Sequence, residues 1–317
     1  MSQYKTYDAR GLREDLTDVI YDISPTDTPI MSSIGKTSAR AVYHEWQTDS
    51  LASATTGNAA VEGATASEAV LSPTVRIGNY TQIVQKTVMI SGTLEAVDKA
   101  GRKSEKAYQL AKASAEIKRD IEATITANQG RDAGTGSAAR KMASLLSWIK
   151  TNTNKRDSTT TGTDPETIGV STRGDGTTRT FTEALLKDVV QKVFTSGGTP
   201  TLLVVPPAGK QKVSAFTGIA QHRINTEGTG KVTLLAGADL YQSDFGVISI
   251  IPDRFMRTRD ALVLDPEFAA MAFLRPFSTN DLAKVGDAEK TQILAELTLE
   301  VRNEAAHGII ADLDFAL

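Results

Sequence analysis

The chain has 317 residues, no cysteine, 18 aromatics (2 Trp, 7 Tyr, 9 Phe) and 35 basic against 38 acidic side chains. Without cysteine there are no disulfides, thiolate metal sites or cysteine nucleophiles, and three histidines (His44, His222, His307) leave little material for a histidine metal centre or triad. Forty per cent hydrophobic residues suffice for a folded core, and a net charge of −3 argues against a globally basic nucleic-acid binder but leaves room for a local patch.

In chain order, residues 8–23 place Leu12, Leu16, Val19, Ile20 and Ile23 on one helical face. Pro25 and Pro29 then predict an extended strap. VYHEWQ (42–47) and residues 75–90 alternate as strands. Between them, 16 of the 23 residues from Ser50 to Ser72 are Ala, Ser, Thr or Gly, and no Lys or Arg occurs from 41 to 75. Two strands around such a stretch predict a long hairpin too poor in apolar bulk to be stable alone, so it packs on another subunit or moves.

Residues 93–127 are free of proline and predict one helix of about 50 Å, with Thr93 as its cap. Seven basic and two acidic residues lie between 99 and 119, and Lys99, Arg102, Lys103 and Lys106 fall within one arc of that helix. The arc reads either as a solvated face or as a surface for nucleic acid. Met142–Ile149 is a short apolar segment, followed by a polar, turn-rich connection. A second helix is expected from Thr180, with Glu183 completing a capping box, Leu185, Val189, Val193 and Phe194 as its apolar face, and Gly197–Gly198 closing it. TLLVV (201–205) and VISII (247–251) read as buried strands around a weaker helix at 208–217, which makes 180–260 an α/β unit. From 261 the chain is strand-rich, and its last run places Leu297, Leu299 and Val301 inward with Glu296, Glu300 and Arg302 on the opposite, solvent-facing side.

Chemical motifs do not assemble. Gly35-Lys36-Thr37 and Gly228-Thr229-Gly230-Lys231 both lack the leading glycine of a phosphate-binding loop, and Gly134-Thr135-Gly136 has no preceding strand. Asp8, Asp15, Asp18, Asp22 and Asp27 lack calcium-loop spacing, and no nucleophile elbow occurs. No catalytic, cofactor-binding or metal-binding residue is assigned; the one candidate surface is the basic patch Lys99, Arg102, Lys103 and Lys106.

The order of parts, together with TDTPIMSSIGK, LDPEF–LRPFSTNDLAKVGD and ELTLEVRNEAAHG, resembles the major capsid protein of tailed bacteriophages, the HK97-type fold. The resemblance implies an α+β fold with residues 1–40 as the N-arm and 41–91 as the E-loop. It implies a P-domain from 92–179 and 261–317, with a spine helix at 93–127, and an A-domain at 180–260. It further implies a non-enzymatic subunit without cofactor, assembled in the host cytoplasm into pentamers and hexamers of a virion shell around double-stranded DNA. Expected partners are further copies of the chain, a separate scaffolding protein, a portal, a possible decoration protein and non-specifically held DNA, with no membrane. The alternatives are an encapsulin-like nanocompartment shell and a carboxylate-dependent hydrolase, for which Glu183, Asp188, Asp239, Asp244 and Asp253 are the scattered acids.

Overall fold

The computed structural model describes residues 27–63, 65, 71–98, 101, 103–156, 162–216, 239–284 and 286–316. The helix expected at 8–23, Pro25, His222, the acids Asp8 to Asp22 and the glycines at 228–230 lie outside these residues. Chain order begins with α1 (Pro29–Ser33) and β1 (Gly35–Ser38), then β2 (Tyr43–Thr48), β3 (Val75–Tyr80) and β4 (Gln82–Ser91). Pro29 therefore opens a short helix instead of continuing an extended strap, because at the first helical position its missing N–H costs nothing. The strand expected over 75–90 is divided at Thr81, where the chain turns from β2 as partner to a different sheet.

The single long helix expected at 93–127 is two helices, α2 (Gly92–Ala96) and α3 (Glu105–Thr126). Local chemistry makes the break. Gly101 takes φ +75°, outside the helical basin. The Ser104 side chain accepts the Ala107 N–H at 3.2 Å, and Glu95 Oε2 accepts those of Glu105 and Lys106 at 3.0 and 3.4 Å. Ser91, not Thr93, caps α2. On α3, Ala113, Ile117, Ile121 and Ile125 recur every fourth residue and form its buried face.

After α4 (Leu145–Trp148), β5 (Thr153–Asn154) and β6 (Arg179–Thr180) comes α5 (Glu183–Thr195). Its N-cap is Thr182 with no side-chain cap bond, so the expected Thr180–Glu183 box does not form; Thr180 is held in β6 opposite Asp314. Its end follows the sequence reading: Gly197 (φ +92°) and Gly198 donate to the carbonyls of Phe194 and Val193, both at 3.0 Å. Then follow β7 (Leu202–Val205), α6 (Pro207–Ser214), β8 (Leu240–Ser243), β9 (Gly246–Pro252), β10 (Ala261–Leu264), β11 (Ala269–Leu282), β12 (Ala288–Val301), β13 (Gly308–Ile310) and β14 (Leu313–Asp314).

Two sheets organise these elements. One has the order β1-β11-β12-β4, with β1 parallel to β11 and the rest antiparallel. The other has the order β5-β13-β10-β7-β9-β8 and so takes strands from both sides of residue 260. Successive side chains of β7 point to opposite faces: Leu202 and Val204 enter one core with α1, α3 and α4, while Leu203 and Val205 enter a second with α5 and α6. Burial on both faces is why TLLVV reads as an unbroken apolar run.

Candidate assembly surfaces and the basic patch

The hairpin of β2 and β3 keeps the register Tyr43↔Tyr80 to Thr48↔Val75, and its two ends behave differently. Beyond the strands it is bare: Leu51, Val61 and Leu71 are 99, 80 and 89% exposed. Its root is fastened to the body on every side. Asn79, fully buried, accepts the Ala143 N–H at 2.8 Å through Oδ1 and donates from Nδ2 to the carbonyls of Leu299 at 2.8 Å and Ala143 at 3.3 Å. Trp46 packs on the buried Trp148 with ring centroids 5.4 Å apart, and the Arg131 guanidinium lies over the Tyr43 ring while donating to the Gly78 carbonyl.

Two carboxylates of β12 complete the anchorage. Glu300 receives Thr37 Oγ1, His44 Nε2 and Arg302 Nε, each at 3.0 Å. Burial alone would raise its carboxyl, but these hydrogen bonds outweigh burial and hold it below the usual range. Glu296 receives Thr81 Oγ1 at 2.8 Å, Arg140 Nη2 at 2.6 Å and Arg275 Nε at 2.8 Å. Both glutamates are buried, which corrects their placement on a solvated face. Alternation put Leu297, Leu299 and Val301 toward the core correctly; the hairpin root and the Arg140 loop cover the other face. The bonds of His44 and Thr37 to Glu300 and of Thr81 and Arg140 to Glu296 were not legible beforehand, because each joins residues more than 150 positions apart.

The basic patch is only partly in view. Lys99 and Arg102 lie outside the described residues, and Lys103 is exposed just before α3. Lys106 is engaged within the chain: its Nζ lies 3.2 Å from Asp281 and 3.3 Å from Glu289, and these bonds raise its pKa. The separation of α2, ending at Ala96, from α3, starting at Glu105, also removes the continuous helix on which the four-residue arc depended. Lys112 and Lys118, which the arc did not include, are exposed on α3.

Three of the five acids considered for a hydrolase are paired within the chain. Glu183 accepts the Tyr241 hydroxyl at 3.0 Å and pairs with Lys187 at 2.9 Å. Asp188 lies 2.6 Å from Asn154 and 2.7 Å from Lys192, and Asp239 lies 2.9 Å from Lys210. His307 is fully buried, accepting the Asp265 N–H on Nδ1 at 3.3 Å. Gly35-Lys36-Thr37 lies on β1 and hydrogen-bonds along β11, so its backbone amides wrap no phosphate. Among the described residues no group of three or more acids and histidines is arranged to hold a metal, and no helix is long and apolar enough to cross a membrane.

A family model described as SU10 major capsid protein matches residues 2–314. The chain is similar to the major capsid protein of Escherichia phage Phieco32, 29% identical over 344 aligned residues that cover 97% of this chain and 96% of that protein. Among solved structures it resembles the capsid of cyanophage A-1(L), with a TM-score of 0.64, 12% identity and 98% of each chain covered. It also resembles the capsid of the native GTA particle, with a TM-score of 0.62, 12% identity and 96% of each chain covered.

Proposed function

From the premise that the chain belongs to the SU10 major capsid protein family, and is the structural shell subunit of a phage head with an HK97-type α+β fold, we propose how it does that work. The relatives support this reading and neither the nanocompartment shell nor the hydrolase. Copies of the chain form rings of five and six that close into a shell, in the host cytoplasm, around double-stranded DNA. Residues 1–40 act as the arm, 41–91 as the extended loop, 92–179 with 261–317 as the peripheral domain, and 180–260 as the domain at the ring axis. The chain works by contact alone and catalyses no reaction. A separate scaffolding protein, a portal and a decoration protein complete the particle.

The observation that carries this reading is the hairpin: a root locked by Asn79, Glu296 and Glu300 under a tip whose Leu51, Val61 and Leu71 are exposed among the described residues. Such a cantilever gains its stability from a neighbouring copy. Lys99, Arg102 and Lys103 contribute non-specific contact to packaged DNA through counterion release, with Lys106 a lesser contributor because its charge is already met. Negative-stain imaging and size-exclusion chromatography of the purified protein test assembly. Closed shells with five- and six-fold rings are expected; a protein that stays monomeric under all assembly conditions overturns the reading. Replacing Lys99, Arg102 and Lys103 with Gln is expected to shorten the packaged genome or weaken filled particles, and unchanged genome length with unchanged particle stability removes the DNA assignment.

A further inference from the structure

Strand β14 lies parallel to β6, and Leu313 and Phe315 are buried with Phe181 and Phe216 in the core beneath α5 and α6. Between β13 and β14 stands Asp312, the one non-glycine residue with positive φ (+59°) among the described residues, and it is buried. That conformation crowds a β-carbon against the backbone, a steric cost that the side chain's bonds offset. Oδ1 accepts the Gly176 N–H at 2.6 Å and Arg259 Nη2 at 3.0 Å, and Oδ2 accepts the Arg156 N–H at 3.4 Å. The Asp312 carbonyl accepts the Arg179 N–H at 2.7 Å, and the Arg259 carbonyl accepts the Leu313 N–H at 2.8 Å. Gly162 packs so closely on the carboxylate that a β-carbon there would overlap Oδ2.

The connection from 156 to 179 has little else to order it at its two ends. Ile168 and Val170 are its only large apolar side chains, and Val170 is exposed. Polar contacts therefore carry its order. Its middle is tied to the body without β14. Gly169 N–H donates to the Ser147 carbonyl at 2.9 Å, Arg173 N–H to Asn128 Oδ1 at 2.9 Å, and Arg173 Nη2 to the Ile149 carbonyl at 2.6 Å. The ends, where Thr163 and Gly174 exchange N–H···O bonds at 3.0 and 2.9 Å, are gathered around Asp312.

We propose that Asp312 is a clasp coupling the segment 312–316 to the ends of this connection, Arg156 with Gly162–Thr163 and Gly174–Arg179, so that they open and close as one unit while Gly169–Arg173 stays in place. Lifting β14 withdraws the acceptors of the Arg156, Gly176 and Arg179 amides at once. The coupling is reciprocal: a contact that orders the connection tightens β14, and one that lifts β14 frees the connection. The clasp belongs to the single subunit and stands apart from the shell reading.

Amide hydrogen exchange in the full chain tests it. Leu313→Ala truncates a buried side chain and is expected to raise the opening constant of the residue-313 amide by about 30-fold or more. Thr163 and Gly174, whose amides bond each other and not β14, are expected to rise by the same factor, with Gly169 and Arg173 unmoved. Asp312→Gly keeps the positive-φ turn and deletes the carboxylate. In D312G, Thr163 and Gly174 are expected to exchange faster than the residue-313 amide, and adding L313A leaves them unchanged. The clasp is overturned if Thr163 and Gly174 ignore L313A while Asp312 is present, if Gly169 and Arg173 rise with them, or if they follow L313A equally in D312G. Should D312G fail to fold, wild type against L313A decides alone. Should L313A fail to fold, Leu313→Val, with an expected rise of about 5-fold, takes its place.

Discussion

Replacing Asn79 with Ala tests the anchorage of the hairpin at its most exposed point of logic. The substitution strands the buried Ala143 N–H without an acceptor, which costs about 1–3 kcal/mol, and removes a donor from the carbonyls of Leu299 and Ala143, each worth about 0.5–1.5 kcal/mol net. The expected loss is about 2–6 kcal/mol, a large fraction of a typical domain's stability. Asn79→Asp separates hydrogen-bond chemistry from side-chain volume. The aspartate still accepts the Ala143 N–H but turns a second oxygen toward two carbonyls in a fully buried site, so at pH 7 it is expected to be less stable than the alanine variant. Urea unfolding of the purified subunit before assembly gives both values, read as a change in midpoint at constant slope. A loss below about 1 kcal/mol for N79A, or a wild-type-like N79D at neutral pH, refutes the claim that this amide holds the root.

Two further outcomes rest on equally local geometry. Gly78→Ala places a Cβ 2.6 Å from the His44 carbonyl oxygen and 2.9 Å from Glu45 Cγ, so β2 and β3 must part; a loss of about 1–3 kcal/mol is expected in the same urea assay, with early amide exchange along the hairpin. For His307, burial pushes the imidazole down to about 4 against opposition from Phe268, Asp265 and Glu304. The unfolded chain then binds the extra proton between about pH 6.5 and 4, so stability falls as pH drops through that interval, by about 3 kcal/mol in all. Denaturation series at pH 7, 5.5 and 4 should show that fall in the wild type and a smaller one in His307→Gln; equal slopes would remove His307 as the source.

Elements written in a contiguous pattern were legible before the structure. TLLVV and VISII are strands, the VYHEWQ strand pairs with the first half of 75–90, and the helix with a Gly-Gly stop is α5, although its buried face is Leu186, Val189, Val190 and Val193, not the expected Leu185, Val189, Val193 and Phe194, and Phe194 is half exposed. What escaped was decided by groups distant in sequence or by a choice between equal local options. Thr93 was the expected cap, yet Ser91 caps α2, and a separate helix starts after Ser104, where Glu95 reaches across ten positions to hold the next two amides. Alternation told which side of β12 faces the core but not that Thr37, His44, Thr81 and Arg140 would cover the other. Of the candidate surface, charge density singled out residues 99–106, yet periodicity on an assumed continuous helix could not foresee that Lys106 turns toward Asp281 and Glu289. The cap of α1, where Glu122 accepts the Ile30 and Met31 N–H groups from 92 and 91 positions away, left no local trace at all.

The placement of β12 also sets an order of events during synthesis. The bonds that lock the hairpin join His44 to Glu300, Asn79 to Leu299 and Thr81 to Glu296, across 256, 220 and 215 positions. Chains emerge N-terminus first, so the hairpin leaves the ribosome long before the strand that fixes it. Until β12 arrives, β4 lacks its neighbour in the sheet and the hairpin lacks both glutamates and the Leu299 carbonyl. A polypeptide stopped short of that strand therefore lacks the groups that fix its projecting hairpin to the body. Only chains translated through Glu300 carry the bonds that lock the hairpin root.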